Sequence, residues 1–390
     1  MTILESAQKM EPHLSELREE FHRHPEAAFE EKETSALIAA ELRKIGTYQI
    51  TENICGHGIL AEIHGNKPGK AVALRADMDA LQISEETGLP FCSQNPGMMH
   101  ACGHDNHITM LLGAAHLLAQ FQDQISGTVR LIFQPAEELS PKGGSRSMIE
   151  AGALKGINAI FGLHVWPGLP LGTFGVKAGP LMAASDHFYV KIHGKSGHAA
   201  TPEAGIDSLL AGAQFVTAAQ SIISRNTDPL KSAVISIGTF KAGTRYNIIA
   251  EECALEGTCR TFDPDVRDLA ERRLGEVLKG ICTLSQCTGE LDYERGYMAV
   301  NNDAAMSDYV HKTAASLFGA EKSVLVLHPS MCAEDFAFYL NHVPGAFAWI
   351  GTAKEGDPSW PLHSSHFTAN EDILWRGAAL LASLALNFNG

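Results

Sequence analysis

No two cysteines in the chain are spaced as Cys-x-x-Cys, and the eight present are scattered over 390 residues without a regular interval. A disulfide framework is excluded, and reduced, mostly buried thiols are expected. Long apolar runs are also missing. The longest stretches, such as Leu380 to Leu386, fall far short of the roughly 20 residues that cross a bilayer. The opening MTILESAQKMEPHLSELREE mixes charges with isolated apolar residues and builds no secretory signal. A cytoplasmic protein with no membrane partner is expected. Positive charge is in short supply, with 30 Lys and Arg against 45 Asp and Glu and a formal net charge of −15. A broad phosphate-binding surface does not fit that balance, so no nucleic-acid partner is expected. Internal repeats at solenoid or propeller periods and low-complexity linkers are absent as well.

What remains is ordinary globular composition, 45% hydrophobic and 19% charged, in a chain longer than one hydrophobic core usually holds. Helical spacing over Glu5 to His24 and Thr34 to Ile45 is followed by an alternation of strands and helices. AVALRADMDAL, GTVRLIFQPAEE and AIFGLHV read as strands, and Asn106 to Phe121 and Ser145 to Glu150 as helices. Such alternation predicts an α/β fold with a mixed, mostly parallel sheet covered on both faces. The texture then changes. HFYVKIHG, a helix from Ile206 to Arg225, AVISIGTF, IIAEECALEGTCR, a helix from Val266 to Cys282 and ELDYE follow one another as β-α-β-β-α-β, the order of a small α+β sandwich. After about Asn302 the first texture returns through SVLVL, AFAWI and a helix from Glu371 to Asn387. The middle unit is therefore an insertion, with expected boundaries 1–183, 184–296 and 297–390.

Eighteen histidines are many for this length, and several stand beside acids or a cysteine. In MMHACGHDNH, Cys102 and His104 are two apart, so an extended segment would point both at one metal. A thiolate with an imidazole suits a transition metal and not magnesium or calcium. The competing reading is a buried structural thiol with histidines capping the next helix. In FQPAEEL, Glu137 and Glu138 follow a strand that ends at Pro135, where ligand crevices of parallel sheets lie. One carboxylate can bind metal while its neighbour holds a water, although a bare Glu-Glu pair is also an ordinary solvated loop.

His164 in GLHVWP ends an apolar strand and is equally a core histidine satisfied by backbone; His363 and His366 in PLHSSHF are equally surface residues. Together, Cys102, His104, Glu138, His164 and His363 exceed one tetrahedral site and point to two metals sharing ligands. Asp77 and Asp79 end another strand; Asp77 or Asp105 can support a ligating histidine, and Asp79 can equally cap or form a turn. In the inserted unit, His198 lies in a Gly-rich turn, Asn247 precedes a strand and Arg260 ends one. A guanidinium fork suits a carboxylate, and His or Asn can donate to an oxyanion.

These blocks resemble the M20 metallopeptidases, in particular the amidohydrolase branch of hippurate hydrolases, N-acyl-L-amino-acid aminoacylases and plant auxin-conjugate hydrolases. The resemblance runs almost end to end, through FHRHPEAAFEEKET, ALRADMDAL, MMHACGHDNH, IFQPAEE, IFGLHVWP, GTFGVKAGPLMAASD, GKSGHAATPEAGIDSL, EGTCRTFD, SMCAEDFAFYL and PLHSSHF. It implies a catalytic domain with two divalent metals (zinc, manganese, cobalt or nickel) and an inserted lid that joins subunits into a homodimer or homotetramer. By position, Cys102, His104, Glu138, His164 and His363 match the metal ligands, Glu137 the general base and Asp77 the supporting acid. His198 and Asn247 match lid residues that in dimeric relatives reach the other subunit's active site, and Arg260 matches the substrate-carboxylate site. Cys332 stands where relatives usually have Gly, beside Met331, which is expected to line the substrate pocket.

The implied activity is hydrolysis of an N-acyl-L-amino acid to a carboxylic acid and a free amino acid. The alternatives are an N-acetyl-diaminopimelate or N-acetyl-cysteine deacetylase, a dipeptidase or carboxypeptidase, or a non-enzymatic protein that binds amino-acid conjugates.

Overall fold

The computed structural model describes residues 1–356 and 359–388. They form two compact units, one built from Met1–Leu181, Val300–Pro329 and the chain from Asp335 onward, the other from Met182–Ala299 with Ser330–Glu334. Among the described residues no helix is long and apolar enough to cross a membrane.

The larger unit is built on an eight-stranded sheet. Its strands lie in the order Gln49–Ile54, Gly58–His64, Ser126–Gln134, Lys67–Asp77, Ala159–Pro170, Gly345–Ala353, Phe174–Val176 and Ser323–Leu325. The third to sixth run parallel, while Gly58–His64 and Phe174–Val176 are antiparallel to their inner neighbours. This is the mixed, mostly parallel sheet expected from the alternation of strands and helices. The inner strands are buried on both faces, so they read as near-continuous apolar runs.

Helix His104–Gln120 packs against helix Asp372–Leu386, and both are apolar over most of their surface because protein covers most of each. They approach closely at Gly113, where a Cβ would stand 2.7 Å from that of Ala378. The first expected helix is in fact two, Ile3–Lys9 and Glu11–Arg23, because Pro12 in the first turn starts a new helix after Met10.

The smaller unit carries a four-stranded antiparallel sheet in the order Ala233–Ala242, Glu252–Thr261, Ala184–His193 and Thr288–Arg295. Helices Ser208–Ser221 and Pro264–Ser285 cover one face, and along Glu252–Thr261 buried and exposed residues alternate as a one-sided sheet requires. Asp207 and Asp263 cap the two helices by accepting from Leu210 N–H and from Asp265 and Val266 N–H. A buried carboxylate, Asp186, holds Arg267 of the second helix (Nε to Oδ2 2.9 Å), Tyr293 of the edge strand (2.8 Å) and the Gly296 N–H (3.1 Å). The expected β-α-β-β-α-β order is therefore present, with a π-turn, Ile222–Asn226, ending its first helix.

Candidate metal centre and active site

The carboxyl ends of the parallel strands set the site. Register places Asp77 opposite Gln134 and Arg75 opposite Gly162, so Asp77, Gln134 and His164 stand at one level along the sheet edge. Cys102 and His104 arrive there differently from the extended segment anticipated above. Gly103 between them is left-handed (φ 84°) and His104 is the first residue of the helix. A Cβ on Gly103 would lie 2.5 Å from Val165 Cγ2, so only glycine makes this turn. His363 is also left-handed (φ 65°), and its N–H donates to the Ala101 carbonyl at 2.8 Å, fastening its loop beside the cysteine.

Two groups of potential ligand atoms result, each within 4.8 Å: Cys102 with His104 and His164, and Cys102 with Glu138 and His363. Cys102 belongs to both. Its Sγ is 3.5 Å from His164 Nε2, and Glu138 Oε1 is 3.4 Å from His363 Nε2 and 3.8 Å from His104 Nε2. All but His363 are largely buried.

The donor set suits transition-metal ions. His164 donates Nδ1–H to the Val165 carbonyl at 2.7 Å, and burial drives its proton affinity far down, so a neutral ring offers the Nε2 lone pair. Among the described residues, the His104 ring nitrogens and Glu138 Oε1 are buried without a hydrogen-bond partner, an arrangement that costs about 1–3 kcal/mol per group unless something pairs them. Burial opposes charge on His104, yet Asp77 and Asp79 together hold its pKa up to about 10. The carboxylates call for positive charge where that ring lies, and a divalent cation supplies it. Cys102 is pushed well above the usual thiol range by burial and by Glu138, Glu137 and Asp77, so its thiolate forms only against a cation.

The supporting acids divide the work in a way the sequence did not reveal. Asp77 receives His107 Nδ1–H at 2.6 Å, and Val165 N–H donates to His107 Nε2 at 2.9 Å. Both nitrogens of His107 are thus occupied, and it props the sheet edge. Asp79 is the acid nearer His104, with Oδ1 3.3 Å from Nδ1 against 3.8 Å for Asp77. Its two oxygens also accept the N–H groups of Glu137 (3.0 Å) and Glu138 (2.9 Å). Asp105 is committed elsewhere, to Arg18 Nε (2.9 Å) and His22 Nδ1 (2.8 Å).

Glu137 lies with Glu138 and His104 in a third close group, and its Oε1 accepts the Asp335 N–H at 3.3 Å. Asp335 is held in turn by Arg75 Nη2 (2.7 Å), Gln134 Nε2 (2.8 Å) and Ser145 N–H (3.0 Å), and Arg75 Nη1 reaches Asp77 at 2.6 Å. One buried guanidinium therefore ties the acid behind His107 to the segment behind Glu137. A basic residue inside the apolar run ALRAD was the available signal for this network.

The remaining expected residues belong to the smaller unit. His198 pairs with Ile248 across a two-residue strand, which sets Asn247 beside it, and Ala199 N–H donates to the Asn247 carbonyl. Ala200 N–H donates to His198 Nδ1 at 3.0 Å, so the exposed ring carries its proton on Nε2. Arg260 pairs with Ser185 and Val234, and burial lowers its proton affinity, with Cys332 partly offsetting the effect. Met331 and Cys332 sit in the segment Ser330–Glu334, anchored where Ala183 N–H donates to the Cys332 carbonyl at 2.8 Å.

A buried thiol, imidazoles and carboxylates converging at parallel strand ends, with one further carboxylate beside them, define a metal-dependent hydrolase. The chain belongs to peptidase family M20/M25/M40, whose pattern matches residues 73–387. It is 42% identical to N-acetyl-L-cysteine deacetylase of Bacillus subtilis over 372 residues, covering 95% of this chain and 87% of that one. It is 40% identical to thermostable carboxypeptidase 1 of Saccharolobus solfataricus over 384 residues, covering 98% and 96%. Among solved structures it resembles the Bacillus subtilis YXEP protein, described as a dinuclear metal binding peptidase from the M20 family, with a TM-score of 0.84, 37% identity and coverage of 97% and 98%.

Proposed function

We propose that the protein hydrolyses the amide bond of N-acyl-L-amino acids, releasing a carboxylic acid and a free amino acid. The observation that carries this reading is the sharing of Cys102 by two three-ligand groups, with Glu137 beside them and in neither. Cys102, His104 and His164 would hold one divalent ion, and Cys102, Glu138 and His363 a second. When bound, the pair supplies Lewis acidity toward water and the acyl carbonyl. Zinc, manganese, cobalt and nickel all suit this donor set.

Glu137 acts as the base that takes a proton from the attacking water and returns it to the leaving amine. The Asp335 N–H on its Oε1 orients the carboxylate, and Asp77 and Asp79 keep the imidazoles behind the centre in place. Arg260 offers its fork to the substrate's free carboxylate, Met331 borders the amino-acid moiety, and His198, with Nε2–H outward, donates with Asn247 to the developing oxyanion. We place the enzyme in the cytoplasm as a homodimer or homotetramer joined through the smaller unit. Its edge strand Ala233–Ala242 exposes Val234 and Phe240, which supports such a contact.

The 40% identity to a carboxypeptidase favours peptide cleavage as the second reading. An amine-release assay on N-acetyl, N-benzoyl and indole-acetyl amino acids beside dipeptides separates the two, with the protein loaded in turn with each of the four metals. Preference for an acyl amino acid supports the first reading. Turnover confined to peptides replaces it with the second, and silence throughout with metal bound removes both.

A further inference from the structure

Away from the strand ends, three helices of the larger unit bring a second group of metal-ligating atoms together. His13 stands on Glu11–Arg23, Glu41 on Lys32–Ile45 and His116 on His104–Gln120. His13 Nε2 and His116 Nε2 each lie 2.8 Å from Glu41 Oε1, and the two rings meet edge to face with centroids 5.4 Å apart. The three atoms lie within 4.8 Å of one another. The Glu41 side chain is 1% exposed, whereas His13 and His116 are 41% and 27% exposed, so the group is rooted in the fold and open to solvent on its outer side.

We propose that His13, Glu41 and His116 form a second site, separate from the strand-end centre, for a divalent transition metal such as zinc. Two imidazoles and a carboxylate form a three-ligand set with a fourth position left for water, and the solvent-facing side provides that position. The geometry needs little adjustment. Ligands about 2.0–2.1 Å from a tetrahedral ion stand roughly 3.3 Å apart, so the two imidazoles have to retreat from Glu41 by about half an ångström, which small χ rotations of partly exposed rings allow.

Glu41 Oε2 is taken by Lys44 Nζ at 2.8 Å, which leaves Oε1 to the imidazoles and to an ion between them. Despite burial, Lys44, His13 and His116 hold the Glu41 carboxyl down to about 2, so it is ionised at any working pH. On binding, each imidazole would give the ion its Nε2 lone pair and carry its proton on Nδ1. A filled site would staple helices Glu11–Arg23 and Lys32–Ile45 to the helix that begins at His104.

The test compares zinc content of wild type and the double variant H13Q/H116Q, each saturated with zinc, freed of unbound metal by gel filtration and measured by mass spectrometry. Glutamine amides can still donate to Glu41, so the helix packing persists, and amide hydrolysis reports that the catalytic centre is intact. Wild type is expected to hold one more zinc per chain than the variant, whatever number the catalytic centre holds, with equal turnover by both. Equal zinc in the two proteins overturns the site.

Cobalt gives a second readout. Filling the proposed site adds visible d–d absorption without the near-ultraviolet thiolate band that a Cys102-containing centre produces. Loss of d–d absorption from the variant supports the site, and an unchanged spectrum overturns it. Should the double variant fail to fold, E41Q is measured in the same way.

Discussion

Glu31 Oε1 accepts the backbone N–H of Ala136 at 2.8 Å, and Ala136 is held in the left-handed region with φ 57°. The same oxygen accepts the Phe29 N–H at 3.0 Å, and Phe29 is also left-handed, with φ 63°. Each such non-glycine residue costs of order 1 kcal/mol or more, so one buried carboxylate clamps two strained residues. The clamp matters because Ala136 immediately precedes Glu137. With Asp79 gripping the next two N–H groups, the turn has to fan Glu137 and Glu138 apart, the first toward Asp335 and the second toward His363.

Burial and the nearby Asp79 push the Glu31 carboxyl up to about 7, and Glu31→Ala is accordingly expected to lower stability by about 1–3 kcal/mol, the loss of two hydrogen bonds to a buried carboxyl, and to reduce kcat roughly tenfold through misplacement of Glu137. Glu31→Gln keeps a carbonyl oxygen for both N–H groups and should stay within about threefold of wild type. Urea unfolding and steady-state kinetics read both effects. A Glu31→Ala protein with wild-type kcat would show that the turn holds its shape unaided.

Glu137→Gln retains the shape of the side chain and its contact with the Asp335 N–H but cannot take a proton. Turnover should fall by on the order of 10²–10⁴-fold, with metal content unchanged because Glu137 stands outside both Cys102-containing groups. Metal analysis beside kcat makes the check, and loss of metal together with activity would make Glu137 a ligand instead of the base.

Much of this arrangement could be read from the chain, for a definite physical reason. Parallel strands deliver whatever follows their last residues to one edge, so Asp77, Glu138 and His164 had to converge once those segments were recognised as neighbouring strands. The inserted unit was readable because its strands alternate and its helices carry single apolar faces. What stayed hidden depends on backbone groups and distant partners. Nothing local to Glu31 indicates that it will accept from Ala136, 105 residues away, or that Asp335 will reach Glu137 from 198 residues away. The left-handed Gly103 was hidden too, so the reason Cys102 and His104 share a site lies in a turn and not in strand alternation.

Cys102 and His363 should behave differently when removed. Cys102 belongs to both ligand groups, so Cys102→Ala leaves two protein ligands in each, and bound metal should drop toward none with hydrolysis abolished. His363→Ala leaves Cys102, His104 and His164 together, so that variant should keep one ion per chain and lose most of its activity. These numbers refer to the catalytic centre and are best counted in the H13Q/H116Q background. Equal metal loss in the two variants would contradict a shared cysteine.

Acid sensitivity should trace in part to Glu85. Its side chain is 4% exposed and accepts from His22 Nε2 at 3.2 Å, from Ser93 N–H at 2.7 Å and from the Thr87 hydroxyl. Burial pushes this carboxyl up, but His22, Thr87 and Ser93 outweigh it and hold the folded value at about 2 against an ordinary 4.5. A depressed carboxyl binds fewer protons folded than unfolded, so its contribution is complete above pH 4.5 and disappears as pH falls toward 2. His22 has the opposite sign. Burial opposes its charge, yet Asp105 and Glu85 raise its proton affinity, so its contribution is complete below 6.5 and fades as pH climbs through its raised value. The pair therefore stabilises most between about pH 4.5 and 6.5. Glu85→Gln should cost roughly 1–3 kcal/mol at pH 6, and the gap from wild type should close as pH approaches 2. Urea midpoints across that range measure it, and a gap that is constant with pH would mean that Glu85 contributes by packing and not by charge.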